Sequence, residues 1–452
     1  MLLFCSAFSV FAQDITGQWN GILKVQQMQL RLVFNIAKNG NEYSATMDSP
    51  DQGAKGIPVS SVRFENNNLT ITVDNIKLEY SGTLQDGIIT GVFKQGNFSN
   101  PMNLSRAEVK VEKPNRPQEP LPPFSYLTEE ISFQNSKANA ILSGTLSLPS
   151  KNGKYPVVIL ISGSGPQNRD EELMGHKPFL VIADFLTKNG FAVLRYDDRG
   201  VAKSTGDFKN ATSADFAEDV LAAIAYLKTR KEINSNKIGL IGHSEGGYIA
   251  PLVAAKSKDV AFIIMLAGPG IPCDELLVLQ NALISKASGM KQKEIDKNKK
   301  INSGAYDLVK KSTNNQKLSN DLTEYFNEKF EKSMSDDKQG FVEMQVKELT
   351  SPWMQYFLKY NPSPALEKVH CPVLALNGAH DLQVPPNENI EAIRKSLTKA
   401  GNKNVTTKIL PKLNHLFQEC ATGLPDEYAE IEQTFSPTAL NEILNWLKVQ
   451  TR

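Results

Sequence analysis

Ser244 stands in Gly242-His243-Ser244-Glu245-Gly246, behind the apolar run Lys237-Ile238-Gly239-Leu240-Ile241 and ahead of the small-residue segment Gly247-Tyr248-Ile249-Ala250. Glycines on either side of a serine leave room for a sharp strand-to-helix turn. Such a turn lifts the hydroxyl clear of a sheet and aims the following backbone N–H groups at its reaction partner. A serine hydroxyl is a poor nucleophile at neutral pH, so attack on a carbonyl needs an imidazole with a pKa near 6.5 to take its proton. The imidazole in turn needs a carboxylate on its far nitrogen to fix the tautomer and stabilise the imidazolium.

Both partners can be found downstream. Pro372-Val373-Leu374-Ala375-Leu376 reads as a short buried strand running into Asn377-Gly378-Ala379-His380-Asp381, which puts Asp381 just past a strand end. Thr406-Thr407-Lys408-Ile409-Leu410 reads as another strand, and His415 lies in the loop after it. The strands of a parallel sheet deliver their carboxyl ends to one crevice, so Ser244, Asp381 and His415 are expected to converge there. Glu388 and Asp426 are the alternative carboxylates. Of the five histidines, His415 is read as the general base, and His176, His243, His370 and His380 as packing residues.

The chain order serine, acid, histidine is that of the α/β-hydrolases. From Ser125 onward the chain resembles that superfamily, specifically the serine-aminopeptidase-like group that includes bacterial carboxylesterases with an extra N-terminal β-rich domain. Besides the Ser244 turn and the Asp381 and His415 loops, the marks are Leu160-Ile161-Ser162-Gly163-Ser164-Gly165-Pro166 and Arg195-Tyr196-Asp197-Asp198-Arg199-Gly200. The expected fold class is α/β: a hydrolase sheet with a helical cap, preceded by a small antiparallel β domain, lipocalin-like or a half-barrel. A tetrahedral oxyanion needs two backbone donors. One is the N–H of Glu245, next after the nucleophile. The resemblance to the His-Gly-x-Gly loop of related enzymes implies Ser164 as the other, although Ser162 replaces the histidine of many relatives and leaves that loop's hydrogen bonding open. Glu245 is an unusual neighbour for a developing oxyanion. Either its side chain turns outward or it pairs with a cation such as Arg169 or Arg199, or else it recognises a cationic substrate group, and the structural role is preferred.

The family resemblance also makes the helical, Lys-rich stretch between Leu266 and Val373 a cap, inserted at about 272–365, over the active site. Leu276, Leu277, Leu283 and Ile284, or Trp353, Met354, Tyr356 and Phe357, are candidates for an acyl pocket, set against the simpler reading that they fill the cap's own core.

Toward the N-terminus the pattern changes. From Asp14 to about Arg106, Leu30, Leu32, Phe34 and Ile36 share one strand face, and Leu69, Ile71 and Val73 another. With tight turns at Asn39-Gly40 and Asp86-Gly87, this predicts about seven or eight antiparallel strands over residues 13–112. Gly17-Gln18-Trp19 resembles the Gly-x-Trp of lipocalin-like barrels and reads equally well as a core tryptophan. The proline-rich segment 113–125 predicts an extended linker to the hydrolase domain at 126–452. Residues 1–12 are apolar and end in small residues, as a truncated export signal would. They lack the usual leading cation, as the end of a longer signal would, and are too short to span a bilayer; the export-signal pattern makes the expected location periplasmic or secreted.

Composition bounds the rest. The 452 residues are 40% hydrophobic and 22% charged with a net charge of +1, which gives no electrostatic reason for nucleic acid or an anionic membrane as partner. No Cys/His cluster has metal-ligand spacing, and no cofactor is expected. Of four cysteines, Cys371 and Cys420 flank the two loops and could pair, with free thiols the preferred state. The expected activity is hydrolysis of small-molecule carboxylic esters of short to medium acyl chain through an acyl-enzyme. The alternatives are a serine aminopeptidase, and a glycan- or peptide-binding module carrying a deacylase. Homo-oligomerisation and a ligand of the β domain stay open.

Overall fold

The computed structural model describes residues 14–25, 28–40, 42–50, 54–96, 98–108, 115–330 and 338–452. The export-signal reading of residues 1–12 lies outside them. The chain divides into two compact units, residues 1–113 and 114–452.

The first unit is antiparallel throughout. Its strands are β1 (Gly17–Val25), β2 (Met28–Asn39), β3 (Glu42–Ser49), β4 (Ala54–Pro58), β5 (Ser61–Glu65), β6 (Asn68–Val73), β7 (Leu78–Gln85), β8 (Ile88–Gln95) and β9 (Phe98–Ser105). They form one curled sheet in the order β4-β3-β2-β1-β9-β8-β7-β6-β5. The short connection between the two end strands hydrogen-bonds to both halves, Val59 N–H to the Ala45 carbonyl at 3.2 Å and Ser60 N–H to the Thr72 carbonyl at 2.8 Å. The count among the described residues is nine, above the expected seven or eight: β4 and β5 are only five residues long, and β4 has no apolar alternation. Alternation elsewhere sends Leu32, Phe34, Ile36, Leu69, Ile71 and Val73 into one core with Trp19, Tyr80 and Phe93. The Trp19 indole donates to the Ile15 carbonyl at 2.8 Å, and the Arg106 guanidinium lies 4.1 Å from its ring centroid.

The second unit begins with an antiparallel hairpin, β10 (Leu127–Asn135) and β11 (Ala140–Leu148). It continues through β12 (Tyr155–Ile161), β13 (Ala192–Tyr196), β14 (Ile233–His243), β15 (Phe262–Leu266), β16 (Val373–Gly378) and β17 (Val405–Leu410). The order is β10-β11-β13-β12-β14-β15-β16-β17, with β12 to β17 parallel and β11 antiparallel to β13. This is the α/β-hydrolase sheet. Both faces are covered, so successive residues along a strand enter different cores. Val157, Ile159 and Ile161 of β12 join one cluster with α2 (Ser213–Lys228) and α3 (Glu245–Ala254). Val158 and Leu160 join the other, with α1 (Pro178–Lys188) and α11 (Pro437–Gln450).

Between β15 and β16 run the cap helices α4 (Cys273–Ala287), α5 (Gln292–Lys311), α6 (Asn315–Lys329), α7 (Lys338–Leu349), α8 (Pro352–Lys359) and α9 (Ser363–Leu366). Their apolar faces, including Ile301, Leu322, Phe326 and Val346, are continuous with the β12 cluster. The remaining helix, α10 (Pro386–Lys399), follows β16.

The described part of the proline-rich segment is no free spacer. Arg116 donates to the carbonyls of Ala429 (2.7 Å), Ile431 (2.8 Å), Gly175 and Met174. Gln118 brackets Thr434 and Phe435. These bonds tie the segment to the second unit. Cys273, Cys371 and Cys420 are free thiols, and burial pushes Cys371 up to about 12 and Cys420 to about 11. Among the described residues no helix is long and apolar enough to cross a membrane.

Candidate active site

β14 ends at His243, α3 begins at Glu245, and Ser244 between them sits at φ 52°, ψ −114°. A non-glycine residue is strained there, and the surroundings must hold it in place. The Ser244 N–H donates to the Leu266 carbonyl of β15 and the Gly247 N–H to the Ser244 carbonyl, both at 2.9 Å. No side chain fits at the flanking glycines. A Cβ on Gly242 would collide with the Gly246 carbonyl oxygen, and one on Gly246 with that of Ile161.

Asp381 follows β16 and is 2% exposed. Its Oδ1 accepts from the N–H groups of Gln383 and Val384, each at 2.8 Å, and its Oδ2 lies 2.9 Å from His415 Nδ1. His415 follows β17 and is 4% exposed, in a loop that Asn414 Oδ1 clamps through the N–H groups of Leu416 and Gln418. The alternative acids are elsewhere: Glu388 is exposed in the first turn of α10, and Asp426 lies in a short turn of 3-10 helix.

Ser244 and His415 line one cavity of about 240 Å³ together with Gly163, Ser164, Glu171, His243, Glu245 and the cap residues Leu276, Leu277, Trp353 and Phe357. Of the other cap candidates, Met354 lines a separate cavity of about 500 Å³ inside the cap, which shares Leu277 and Gln280 with the first. Leu283, Ile284 and Tyr356 line neither.

The loop after β12 is pinned from two sides. The Ser162 hydroxyl hydrogen-bonds Asp198 Oδ1 at 2.9 Å, and the Gln167 N–H donates to Asp198 Oδ2 at 3.0 Å. Burial raises Asp198 to about 8 against the pull of these bonds. The Gly163 N–H donates to Glu171 Oε1 at 2.6 Å.

Two expectations need correction. Of the two ways expected for Glu245, cation pairing does not occur among the described residues: Arg169 pairs with Asp197 and Glu130, and Arg199 with Asp219. Glu245 Oε1 instead accepts from Ser213 Oγ at 2.5 Å and from the Trp353 indole at 2.9 Å. Burial raises its pKa, and these hydrogen bonds oppose the rise. The reason is topological: Ser213 of α2 and Trp353 of α8 bring neutral donors to the first turn of α3, while Asp197 and Glu130 take up Arg169 and Asp219 takes up Arg199.

The four other histidines do not all pack passively. His243 Nδ1 lies 2.9 Å from Glu171 Oε1, and its Nε2 lies 2.9 Å from the His415 carbonyl oxygen. His176 is buried between Thr434 and the Tyr428 carbonyl, and burial lowers it to about 4. His380 Nδ1 lies 3.6 Å from the Cys420 sulfur, whereas His370 is exposed. Glu171 is the site residue that sequence reasoning missed. It lies in a polar loop without periodicity, and its partners lie on other segments of the chain.

Among the described residues no group of histidines, cysteines and acids could hold a metal ion.

Comparison with known proteins places this arrangement in context. A family model described as X-Pro dipeptidyl-peptidase (S15 family) matches residues 140–414. Esterase EstD of Thermotoga maritima is 27% identical over 274 residues, covering 59% of this chain and 61% of that protein. The chain thus spans less than two thirds of that relative's length. An uncharacterized 31.7 kDa protein of Escherichia coli is 27% identical over 267 residues, covering 57% of this chain and 84% of that one. Among solved structures, the Pyrococcus furiosus esterase Pf2001 is similar at a TM-score of 0.46 and 17% identity, over 76% of this chain and 100% of that one.

Proposed function

This chain belongs to the X-Pro dipeptidyl-peptidase (S15) family, and from that premise and the geometry of the site we propose that it hydrolyses small carboxylic esters through an acyl-enzyme on Ser244. The observation that carries the reading is that His415, paired with the buried Asp381, lines one cavity with the strained Ser244. Ser244 Oγ attacks the ester carbonyl while His415 Nε2 takes its proton, and Asp381 holds His415 Nδ1–H. The N–H groups of Glu245 and Ser164 receive the oxyanion. Support for Ser164 comes from its neighbour, since the Gly163 N–H is already held by Glu171. The proton on His415 then passes to the departing alkoxide, leaving an acyl-Ser244. Water, deprotonated by the same imidazole, attacks that acyl group and releases the carboxylic acid.

The cavity volume of about 240 Å³ is below the roughly 300–1,000 Å³ of pockets for drug-sized ligands, which supports a short to medium acyl chain. A peptidase of free amino termini is the second reading, favoured by the description of the family. Such a substrate needs a carboxylate facing its ammonium group. Among the described residues lining the cavity the carboxylates are Glu171 and Glu245, each held by protein donors. This favours the ester.

The test is initial rates on p-nitrophenyl acyl esters beside aminoacyl and X-Pro p-nitroanilides, with Ser244→Ala as blank. Ester turnover that the variant loses supports the esterase and ranks acyl lengths. Anilide turnover without ester preference moves the assignment to the peptidase, and ester turnover surviving in Ser244→Ala removes the site.

A further inference from the structure

Glu171 is 4% exposed and held at φ 50° in the loop between β12 and α1. One of its oxygens, Oε1, meets two partners of different origin: the Gly163 N–H, from the loop after β12, at 2.6 Å and His243 Nδ1, from the end of the nucleophile strand, at 2.9 Å. A carbonyl oxygen can only accept, so His243 Nε2 carries the hydrogen that it donates to the His415 carbonyl at 2.9 Å. The His243 and His415 rings stand 4.9 Å apart, centroid to centroid. A continuous line of hydrogen bonds therefore runs from the loop holding Ser164 to the peptide group of the proposed general base.

We infer that Glu171 and His243 are positioning residues, which set the oxyanion loop and the His415 loop at a fixed separation around Ser244. The inference rests on the reading of Ser244, His415 and Ser164 given above. Three features carry it. The Gly163 N–H is committed to Glu171, which leaves the Ser164 N–H as the next donor in the loop. The His415 carbonyl is held by His243, so the imidazole of His415 swings on a fixed peptide as well as on Asp381. Glu171 keeps a backbone conformation that few non-glycine residues adopt, as expected where the surroundings over-determine a residue for function. The charge state agrees with this geometry. Burial alone would lower His243, and the charge and hydrogen bond of Glu171 outweigh it and hold the imidazole above its ordinary value.

Misplacement of a reacting group by about 1 Å can cost on the order of a hundredfold in rate, whereas the cap residues Leu276, Leu277, Trp353 and Phe357 that also line the cavity are left in place by substitution of Glu171 or His243. The experiment measures kcat, KM and the affinity of a trifluoromethyl ketone transition-state analogue for the wild type, Glu171→Ala, Glu171→Gln and His243→Asn, with Ser244→Ala alongside. The expected result is a fall in kcat of about tenfold to a hundredfold in Glu171→Ala at nearly constant KM, with analogue affinity falling in parallel. Glu171→Gln keeps an acceptor for the Gly163 N–H and is expected to recover much of the loss. His243→Asn serves the same comparison if Glu171→Ala does not fold, since it cuts the line only on the His415 side.

Unchanged kcat in the folded variants overturns the inference. So does a loss of kcat without loss of analogue affinity. Ester turnover persisting in Ser244→Ala would instead overturn the underlying assignment of the site, which keeps the two failures distinct.

Discussion

Asp381 turns one oxygen to its own loop and the other to His415: Oδ1 takes the N–H groups of Gln383 and Val384, and Oδ2 lies 2.9 Å from His415 Nδ1. The carboxyl group is thus oriented before the imidazole meets it. Asp381→Asn can keep the loop contacts through its amide oxygen while presenting an NH₂ group to Nδ1, which favours the wrong tautomer. A kcat lower by about 10³–10⁴-fold is expected, with little change in thermal midpoint. Steady-state kinetics beside a melting curve checks this, and a variant that melts far earlier would show that Asp381 acts chiefly on the fold.

If Ser244 and His415 work as one unit, their losses do not add. Ser244→Ala and His415→Ala should each lower kcat by several orders of magnitude, about 10⁴-fold or more, and the double variant by little beyond either. Multiplicative losses in rates on one p-nitrophenyl ester would separate the two residues.

The Glu245 carboxyl group joins the cap to the Ser244 turn, because Trp353 on α8 and Ser213 on α2 both donate to its Oε1. Trp353→Phe removes one donor and keeps much of the ring's bulk. Its expected effect is a several-fold rise in KM, with a loss of stability of about 1 kcal/mol for the lost hydrogen bond, since Ser213 still donates to Oε1. Glu245→Gln should keep ester turnover and lose no activity selective for amino-terminal substrates. Selective loss of anilide turnover in that variant would make Glu245 a recognition residue.

Asp198 gives a pH signature of stability. Its folded-state pKa is raised to about 8 by burial, so between its ordinary value and about 8 the folded protein holds a proton that the unfolded chain releases. The contribution is complete below the ordinary aspartate value, near pH 4, and is lost as the pH climbs through about 8. Asp198→Asn lacks this titration. The difference in urea midpoint between wild type and variant should shift against the wild type as pH rises from about 5 to about 8.5, and a constant difference would refute the assignment.

What the sequence disclosed depended on how local the signal was. Ser244, Asp381 and His415 each follow a short apolar run, so strand ends could be read one at a time and joined by the logic of a parallel sheet. Glu171 carries no such mark. Its partners, Gly163 and His243, lie on two other segments, and only folding brings them to one oxygen. The same limit explains the charge assignments around Glu245: Arg169 and Arg199 are close to the site in sequence motifs, but Asp197, Glu130 and Asp219 compete for them in space. In the N-terminal unit, the alternation of Leu32, Phe34 and Ile36 disclosed a strand, whereas β4, Ala-Lys-Gly-Ile-Pro, has too few apolar residues to announce one.

The strand order has a consequence for the making of the protein. Along β14, β15, β16 and β17 the sheet grows outward in the same direction as the chain. A ribosome therefore delivers the Ser244 turn first and the proposed base last, with His415 emerging only after the edge strand β17. Under the proposed mechanism the hydroxyl of Ser244 lacks the imidazole of His415 until then, and the nascent polypeptide turns over no ester.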